Sequence, residues 1–342
     1  MPFSIYETAT LIKVVENLKP PSSFLLDLFF TGQVNSRDEF VSIDVFDGKR
    51  RLAPFVSPLM EGKVVQGLGY QTATFKPPYI KPKNRLDPNR AIRRQIGEQI
   101  GGAMSPQERA AANLAFELNE QMNQIFRRME WMASKAMTDG AITVVGDGFP
   151  ATTINFGRSP ALNLTLTGGS RWGQAGISPS NNIDDWATSV LQQSGWAVTD
   201  VVFTPASWRL FRADPLVQAV VASFKNGSED FTAGGTTPQR GGIRLGQWGQ
   251  YTLWIYWEWY VDPVDGVEKP MLPDGTVILG SPSVEGTRAF GAIQDEDLNF
   301  PEVPIVPKSW TEKDPGARFV MTQSAPLTIP SRVNASMSAM VK

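Results

Sequence analysis

Three consecutive acidic residues, Asp295, Glu296 and Asp297, form the densest cluster of side chains that could carry chemistry. Neighbouring carboxylates can hold a divalent cation through their oxygens, or act as the paired acid and base of a glycan hydrolase. No further ligand-type residues lie near them in the sequence. We therefore favour a simpler role for this cluster, in a solvated loop or in a salt bridge between subunits.

The composition excludes most other catalytic chemistry. None of the 342 residues is histidine or cysteine. Without histidine there is no Ser-His-Asp or Cys-His arrangement, and without cysteine there is no disulfide or iron–sulfur cluster, and a zinc site is not expected. Catalysis would have to use Asp, Glu, Lys, Tyr or Ser, and any response to pH must come from carboxyl groups.

A second cluster is basic. Tyr79 is followed within fifteen residues by several cations, which include Lys81, Lys83, Arg85, Arg93 and Arg94. Basic residues beside an aromatic ring are typical of nucleic-acid binding. However, the chain has 32 Lys and Arg against 34 Asp and Glu, a net charge of −2. This charge argues against strong non-specific binding of nucleic acid. We favour a protein–protein contact through charge pairing.

Four tryptophans, Trp248, Trp254, Trp257 and Trp259, lie within twelve residues and could line a carbohydrate cleft. Alternation along a strand places Trp257 and Trp259 on one face and Trp254 on the other. Because exposing rings on both faces would be costly, we expect them to be buried in a core or an interface.

The elements that must position these residues begin with a short apolar segment, Phe24–Phe30, which is too short to span a bilayer. We interpret it as a buried anchor, with Phe29 and Phe30 packed on the chain's own core or on a neighbouring subunit. Residues 38–90 alternate like strands from Val41 to Val45 but contain many prolines and glycines. Long excursions of this kind usually serve binding or swapping between chains.

Residues 105–138 carry the clearest helix signal. Ser105 and Glu108 form a capping box with proline at the first helical position, apolar residues recur every three or four positions, and Gly140 is suited to end the helix. A helix of this length is a rod of roughly 50 Å. Another long element must therefore pack along this helix.

The remainder mixes strands and helices. We expect a strand over 141–145, a helix from about Asn181 to Gln193 and a buried strand over 201–204. Two further helices, each beginning at a proline, are predicted over Pro205–Arg212 and Pro215–Phe224. One strand is predicted over Gln250–Val261, with Thr276–Leu279 as its partner or neighbour. The sequence contains no run of about 20 apolar residues, so it predicts no membrane-spanning helix. Residues 1–7 lack the pattern of a signal peptide, so we expect a cytoplasmic protein.

Short motifs spread almost end to end bring these parts together. They include Val56-Ser57-Pro58, Tyr79-Ile80-Lys81-Pro82-Lys83, Gly157-Arg158-Ser159, Gly286-Thr287-Arg288-Ala289-Phe290-Gly291 and Gln323-Ser324-Ala325-Pro326-Leu327. In order and spacing, the chain resembles the major capsid proteins of tailed bacteriophages, specifically the lambda-type capsid protein E family.

The resemblance implies an α+β chain with the fold named after the Hong Kong phage. It implies an N-terminal arm over 1–37, an E-loop region over 38–95, and a spine helix with part of the P-domain over 96–182. It also implies a region that is mainly the A-domain over 183–285, and a return to the P-domain over 286–342.

The function implied is assembly without catalysis or cofactors. Copies would form hexamers and pentamers and then an icosahedral head shell around double-stranded DNA, without sequence-specific DNA binding or any membrane. Assembly would take place in the host cytoplasm and the protein would end in the virion. Implied partners are other copies of the chain, a scaffolding protein, a portal and a decoration protein.

The residues we expect at contacts between subunits are charged, aromatic or apolar. They are Phe29, Phe30, Lys49, Arg50, Arg51, Lys63, Tyr79, Lys81, Lys83, Arg85, Arg93, Arg94, Asp295 and Asp297. Some relatives in the wider fold join neighbours by a Lys–Asn isopeptide bond, for which Lys49, Lys63 and Lys76 are available. We favour reinforcement by a decoration protein instead.

Two other functions stay open. An encapsulin-like compartment would use the same fold to hold protein cargo. A carboxylate-dependent glycan-active enzyme would use the tryptophans and Asp295 or Asp297, and would be a compact monomer.

Overall fold

The computed structural model describes residues 6–18, 21, 23–46, 53–62, 70–86, 105–146, 149–224, 241–295, 303–314 and 316–342. The chain contains both helices and strands along these ranges. The helices are α1 (Thr8–Asn17), α2 (Phe24–Phe29), α3 (Pro106–Asp139), α4 (Pro179–Ser194), α5 (Pro205–Arg212) and α6 (Pro215–Phe224). The strands are β1 (Gly32–Asn35), β2 (Val41–Phe46), β3 (Tyr70–Phe75), β4 (Lys83–Leu86), β5 (Ala141–Gly146), β6 (Phe149–Asn155), β7 (Asn163–Thr165), β8 (Asp200–Phe203), β9 (Gly242–Trp248), β10 (Tyr251–Tyr256), β11 (Trp259–Val261), β12 (Glu268–Pro270), β13 (Thr276–Gly280), β14 (Gly286–Phe290), β15 (Val306–Glu312), β16 (Ala317–Gln323), β17 (Pro326–Pro330) and β18 (Met337–Met340).

The long helix α3 has the ends that its sequence predicts. The Glu108 amide donates to the Ser105 hydroxyl at 3.2 Å, and the Ser105 amide donates to the Glu108 carboxylate at 2.6 Å. Gly140 ends the helix in the left-handed conformation with φ of 68°. The predicted apolar stripe is buried along most of its length, from Leu114 to Ala136.

One hydrophobic core forms around α3. The apolar stripe of α3 packs with α2 and with residues of β14 and β17, such as Ala289 and Leu327. Strands β1, β14 and β17 form a three-stranded sheet in that order, with β1 parallel to β14. The N-terminal anchor, the spine and the C-terminal strands therefore share one interior.

A six-stranded sheet carries the second core, in the order β7-β18-β13-β8-β10-β9. One of its two central strands, β8, is buried at all four positions, as its apolar sequence predicts. Ile183 and Trp186 of α4 and Phe211 of α5 pack with Val201 and Phe203 of this strand.

Three hairpins and one further sheet complete the fold. Strands β2 and β3 pair antiparallel from Val41 opposite Phe75 to Phe46 opposite Tyr70, and they carry the long excursion at 38–90. Strands β5 and β6 form a second hairpin, and β11 and β12 form a third. The sheet β15-β16-β4 anchors the end of the excursion.

Two sequence predictions about the six-stranded sheet were wrong. The chain leaves the strand after Tyr256, where the Trp257 amide donates to the Gly241 carbonyl at 2.8 Å, so Gln250–Val261 forms two strands. Thr276–Leu279 does not pair with the first of them, because β8 lies between β10 and β13. The partners of a strand depend on contacts distant in sequence, which periodicity does not reveal.

The helix predicted at Asn181 begins at Pro179, because Ser178 provides the N-cap and accepts from the Asn181 amide. The two proline-opened helices, α5 and α6, have the predicted bounds. Within the described ranges, no helix combines the length and the apolar character needed to cross a membrane.

Candidate subunit-contact surfaces

The excursion between β2 and β3 presents apolar side chains to solvent. Within the described residues 53–62, which we call the loop tip, Phe55, Leu59 and Met60 are strongly exposed. Apolar side chains that are exposed this close together usually mark a surface that a partner covers. The loop tip is therefore a candidate subunit contact.

The base of the same excursion is fixed to the body of the chain. The Tyr79 hydroxyl donates to the Ala292 carbonyl at 3.0 Å and accepts from the Gln294 amide. Burial raises the pKa of Tyr79, so the phenol keeps its proton for this bond. Lys76 forms an ion pair with Glu39, and Ile80 bridges to Ser324. These contacts thus fix the base of the excursion that carries the loop tip.

A surface of cations and aromatic rings lies just beyond this base. The Lys81 ammonium lies 4.8 Å from the Tyr79 ring centre, and that of Lys83 lies 4.1 Å from Phe319. Arg85 faces Phe319 across the strand pair. We call this surface the cation–aromatic face, which consists of Lys81, Lys83, Arg85, Trp310 and Phe319.

The inner side of β4 explains why these cations point outward. Asn84 donates to the Glu117 carboxylate of α3 at 2.7 Å, and Leu86 packs against the first core. Since successive strand residues alternate sides, Lys83 and Arg85 are left on the outer side. The basic cluster predicted from the sequence is therefore brought to one surface over residues 81–85.

The hairpin β11–β12 forms a second exposed surface. We call residues 257–270 the ribbon. Its inner side is held by Tyr260, whose hydroxyl accepts from the Trp131 indole at 3.3 Å. Its outer side bears Trp257, Trp259 and Val261, which are 44%, 53% and 64% exposed.

The tryptophan expectations have a mixed outcome. Trp257 and Trp259 share a face of the chain, as alternation predicts, but within one chain they are not buried. Trp254 packs on Phe24 and donates to Asp200 at 2.8 Å. The rings therefore do not converge on one cleft.

Asp295 has partners within its own chain. Its two carboxylate oxygens each accept from the Lys308 ammonium at 3.1 Å, and one accepts from the Gln323 amide at 3.0 Å. The residue is only 8% exposed. Among the described residues, no group of three or more acidic side chains could hold a metal ion. Glu296 and Asp297 lie outside those residues.

Phe29 and Phe30 are 1% and 0% exposed within a single chain. Of the two alternatives for the apolar anchor, the structure shows packing on the chain's own core. Several residues expected at subunit contacts lie outside the described ranges: Lys49, Arg50, Arg51, Lys63, Arg93, Arg94 and Asp297.

Sequence reasoning missed a buried carboxyl group at Glu130 of α3. Its oxygens accept from the amides of Leu25 and Leu26 at 2.8 and 3.1 Å, and from the Tyr256 hydroxyl at 3.0 Å. Burial raises the pKa of Glu130 to about 7, although these three donors oppose the shift. The only local signal was a charged residue directly beside the apolar stripe.

Glu130 should make stability depend on pH. Because its pKa is higher in the folded chain than in the unfolded chain, the folded state binds the proton more tightly. This contribution is complete below the unfolded pKa and is lost as pH rises through about 7. We expect the free energy of unfolding to fall by about 2 kcal/mol between pH 5 and pH 8 through this group.

Urea unfolding of the unassembled chain across this pH range measures the effect, with Glu130→Gln as the comparison. The amide removes the titration and costs a constant amount of stability, because it has one acceptor oxygen for three donors. Equal pH slopes in both proteins would contradict the assignment.

The spine helix, the long hairpin and the six-stranded sheet define the class as the tailed-phage capsid fold. A solved structure of a putative capsid protein from an Escherichia coli CFT073 prophage is 22% identical with a TM-score of 0.77, covering 98% of this chain and 99% of that chain. The capsid of Ralstonia phage GP4 is 14% identical with a TM-score of 0.53, covering 95% and 93%.

Sequence comparison identifies the particular family. The model of the phage major capsid protein E family matches residues 7–341. The major capsid protein of Escherichia phage lambda is 30% identical over 330 residues, covering 95% of this chain and 96% of that protein. That of Enterobacteria phage P21 is 29% identical over 334 residues, covering 95% and 96%. The chain belongs to the phage major capsid protein E family, so it is a structural protein of the virion head shell and not an enzyme.

Proposed function

We propose that this chain forms hexamers and pentamers that build an icosahedral shell around double-stranded DNA. The observation that carries the proposal is the loop tip, which presents Phe55, Leu59 and Met60 on a base fixed to the body of its own chain. An apolar segment held away from its own core gains burial only against a neighbour. Rings of subunits offer each loop tip a neighbour.

The implied partners belong to the same proposal. A scaffolding protein would guide assembly, a portal would occupy one vertex, and a decoration protein would reinforce the shell. Lys76 supports decoration over covalent joining, because its ammonium is engaged by Glu39 at the base of the hairpin. The net charge of −2 suits a container, since a strongly basic wall would retain DNA that must leave.

Of the competing functions, the glycan-active enzyme does not agree with the family, whose members are structural capsid proteins. The Asp295 carboxylate accepts from Lys308 and Gln323, so it is not free to act as a catalytic acid or base. An encapsulin-like compartment shares the architecture, and the match to the capsid family over residues 7–341 favours the phage shell. The DNA or protein content of purified particles distinguishes the two.

Replacing Phe55, Leu59 and Met60 together by serine should abolish assembly. The side chains are exposed in the single chain, so the thermal midpoint of the unassembled protein should change little. Electron microscopy and light scattering, with the scaffolding protein supplied, measure the assembly. The matched control is Val145→Ser, which changes an exposed apolar residue on the hairpin β5–β6.

Shells formed by the triple variant at wild-type yield would contradict the role of the loop tip. A wild-type chain that stays a 37.6 kDa monomer with its scaffold would overturn the proposed function itself.

A further inference from the structure

We propose that the ribbon of one copy docks on the cation–aromatic face of the next copy, and that this head-to-tail contact closes the ring of subunits. The inference rests on the proposed function, since it names two surfaces that the assembly joins. Both surfaces are exposed in the single chain, and they differ in charge and in position.

The two surfaces have complementary charge. Residues 79–86 contain Lys81, Lys83 and Arg85 and no acidic residue, which gives +3. Residues 257–270 contain four acidic residues and one lysine, which gives −4 + 1 = −3. The acidic residues are Glu258, Asp262, Asp265 and Glu268.

Part of this charge forms no ion pair among the residues that the structure describes. Within the described ranges, Lys81, Arg85 and Glu268 form no salt bridge. By contrast, Lys83 lies 4.0 Å from Glu312, and Lys269 pairs with Asp262 at 2.6 Å and Asp265 at 2.7 Å. Opposed patches of this kind select the partner and its orientation.

The apolar parts of the two surfaces also suit one another. The ribbon exposes Trp259, Val261 and Val264, while Trp310 and Phe319 are half-buried on the other surface. Tryptophan faces attract guanidinium and ammonium groups, so Arg85 could lie on a ribbon indole while Glu268 meets a neighbouring cation. Burying the rings would also remove the exposed apolar area of the ribbon from water.

The positions of the two surfaces require a second copy. The ribbon rests on α3 at Trp131, and β4 rests on the same helix at Glu117. These positions are 131 − 117 = 14 residues apart, or about 21 Å along the helix at the usual rise. When two different patches join copy to copy, the contact is heterologous, and it forms a closed ring if the rotation closes.

Charge reversal tests this contact in the full chain. Arg85→Glu places a negative charge opposite the acidic ribbon, and Glu268→Lys places a positive charge opposite the basic face. We expect each variant to lose assembly at least tenfold, while the double variant regains it. All variants should keep the thermal midpoint of the unassembled chain, because both residues are exposed.

Mixing the two single variants gives a sharper result. In a mixture, every Arg85→Glu chain can pair with a Glu268→Lys chain on both sides, so strictly alternating rings satisfy every contact. An even-membered ring can alternate and a five-membered ring cannot. We expect electron microscopy of the mixture to show hexamers, tubes or sheets with few or no closed shells, whereas the double variant should form complete shells.

The matched controls are Arg171→Glu and Asp185→Lys, which reverse charges at exposed positions outside both surfaces. If the unmodified chain assembles and both single variants assemble equally well, the contact is wrong while the proposed function stands. If Arg85→Glu particles assemble normally but lose binding of a short DNA duplex, the face binds nucleic acid, which also overturns the proposal. If the unmodified chain forms no particles, the proposed function fails and this inference fails with it.

Discussion

Replacing Arg158 by alanine should lower the free energy of unfolding by about 4 kcal/mol, because several buried acceptors lose a charged donor at once. The guanidinium of Arg158 caps the end of α3. It donates to the carbonyls of Met137 at 2.6 Å and Ala136 at 2.9 Å, and to the Ser336 hydroxyl at 2.8 Å. Helix ends leave their last carbonyls without intrahelical partners, and Arg158 supplies the donor from a position that is only 8% exposed.

Burial lowers the pKa of Arg158 to about 10, so the side chain stays charged at neutral pH. Its positive charge interacts favourably with the negative, C-terminal end of the helix dipole. The side chain also links α3 to residue 336 near the C-terminal strand β18. Its removal should therefore weaken the body of the subunit as well as the helix end.

Urea unfolding of the unassembled chain, followed by tryptophan fluorescence, measures this loss. The control is Arg171→Ala, whose side chain is exposed and should change stability by less than about 0.5 kcal/mol. Arg158→Lys should fall between the two, because lysine keeps the charge but has one donor group in place of a planar fork. A loss below 1 kcal/mol for Arg158→Ala would refute the capping role.

Gly286→Ala should cost about 3 kcal/mol or more, because the added methyl group has no space. A Cβ on Gly286 would meet the Phe29 carbonyl oxygen and would lie 2.5 Å from Cδ1 of Phe30. The carbonyl belongs to the backbone and cannot rotate away. The new methyl group must therefore push the apolar anchor and β14 apart.

Thermal unfolding of the unassembled chain compares this variant with Gly146→Ala. Gly146 also lies in a strand, but a Cβ there would meet no atom within 4 Å. We expect a clear drop in the midpoint for the first variant and little change for the second. Equal midpoints would show that the anchor can shift at no cost.

The effects expected of these two variants could not be predicted from the sequence alone. Gly286 and Arg158 both stand in motifs that resemble the capsid family, yet neither motif says what its residue contacts. The partners of Arg158 lie some 20 residues earlier in α3 and 178 residues later at Ser336. Such contacts form only when distant segments meet in the folded chain.

Local features were predicted well. Helix α3, with its capping box and terminal glycine, depends on residues within a turn of one another, and α5 and α6 begin at prolines. Strand partners were predicted poorly, because β8 lies between β10 and β13 and no local pattern reveals it.

The candidate subunit contacts were likewise predicted only in part. The sequence indicates a basic cluster near Tyr79, an apolar anchor and an exceptional run of tryptophans. It does not indicate that Asp295 is neutralised by Lys308, nor that the ribbon holds its tryptophans outward.

By itself, the sequence determined the secondary structure of the spine, the absence of histidine and cysteine chemistry, and the family to which the chain belongs. The tertiary structure alone decided which charges remain exposed, which carboxyl groups are buried, and that Phe29 and Phe30 are covered within one chain. The physical reason is range. Helix capping and periodicity depend on neighbours along the chain, whereas burial and charge pairing depend on segments that only the fold brings together.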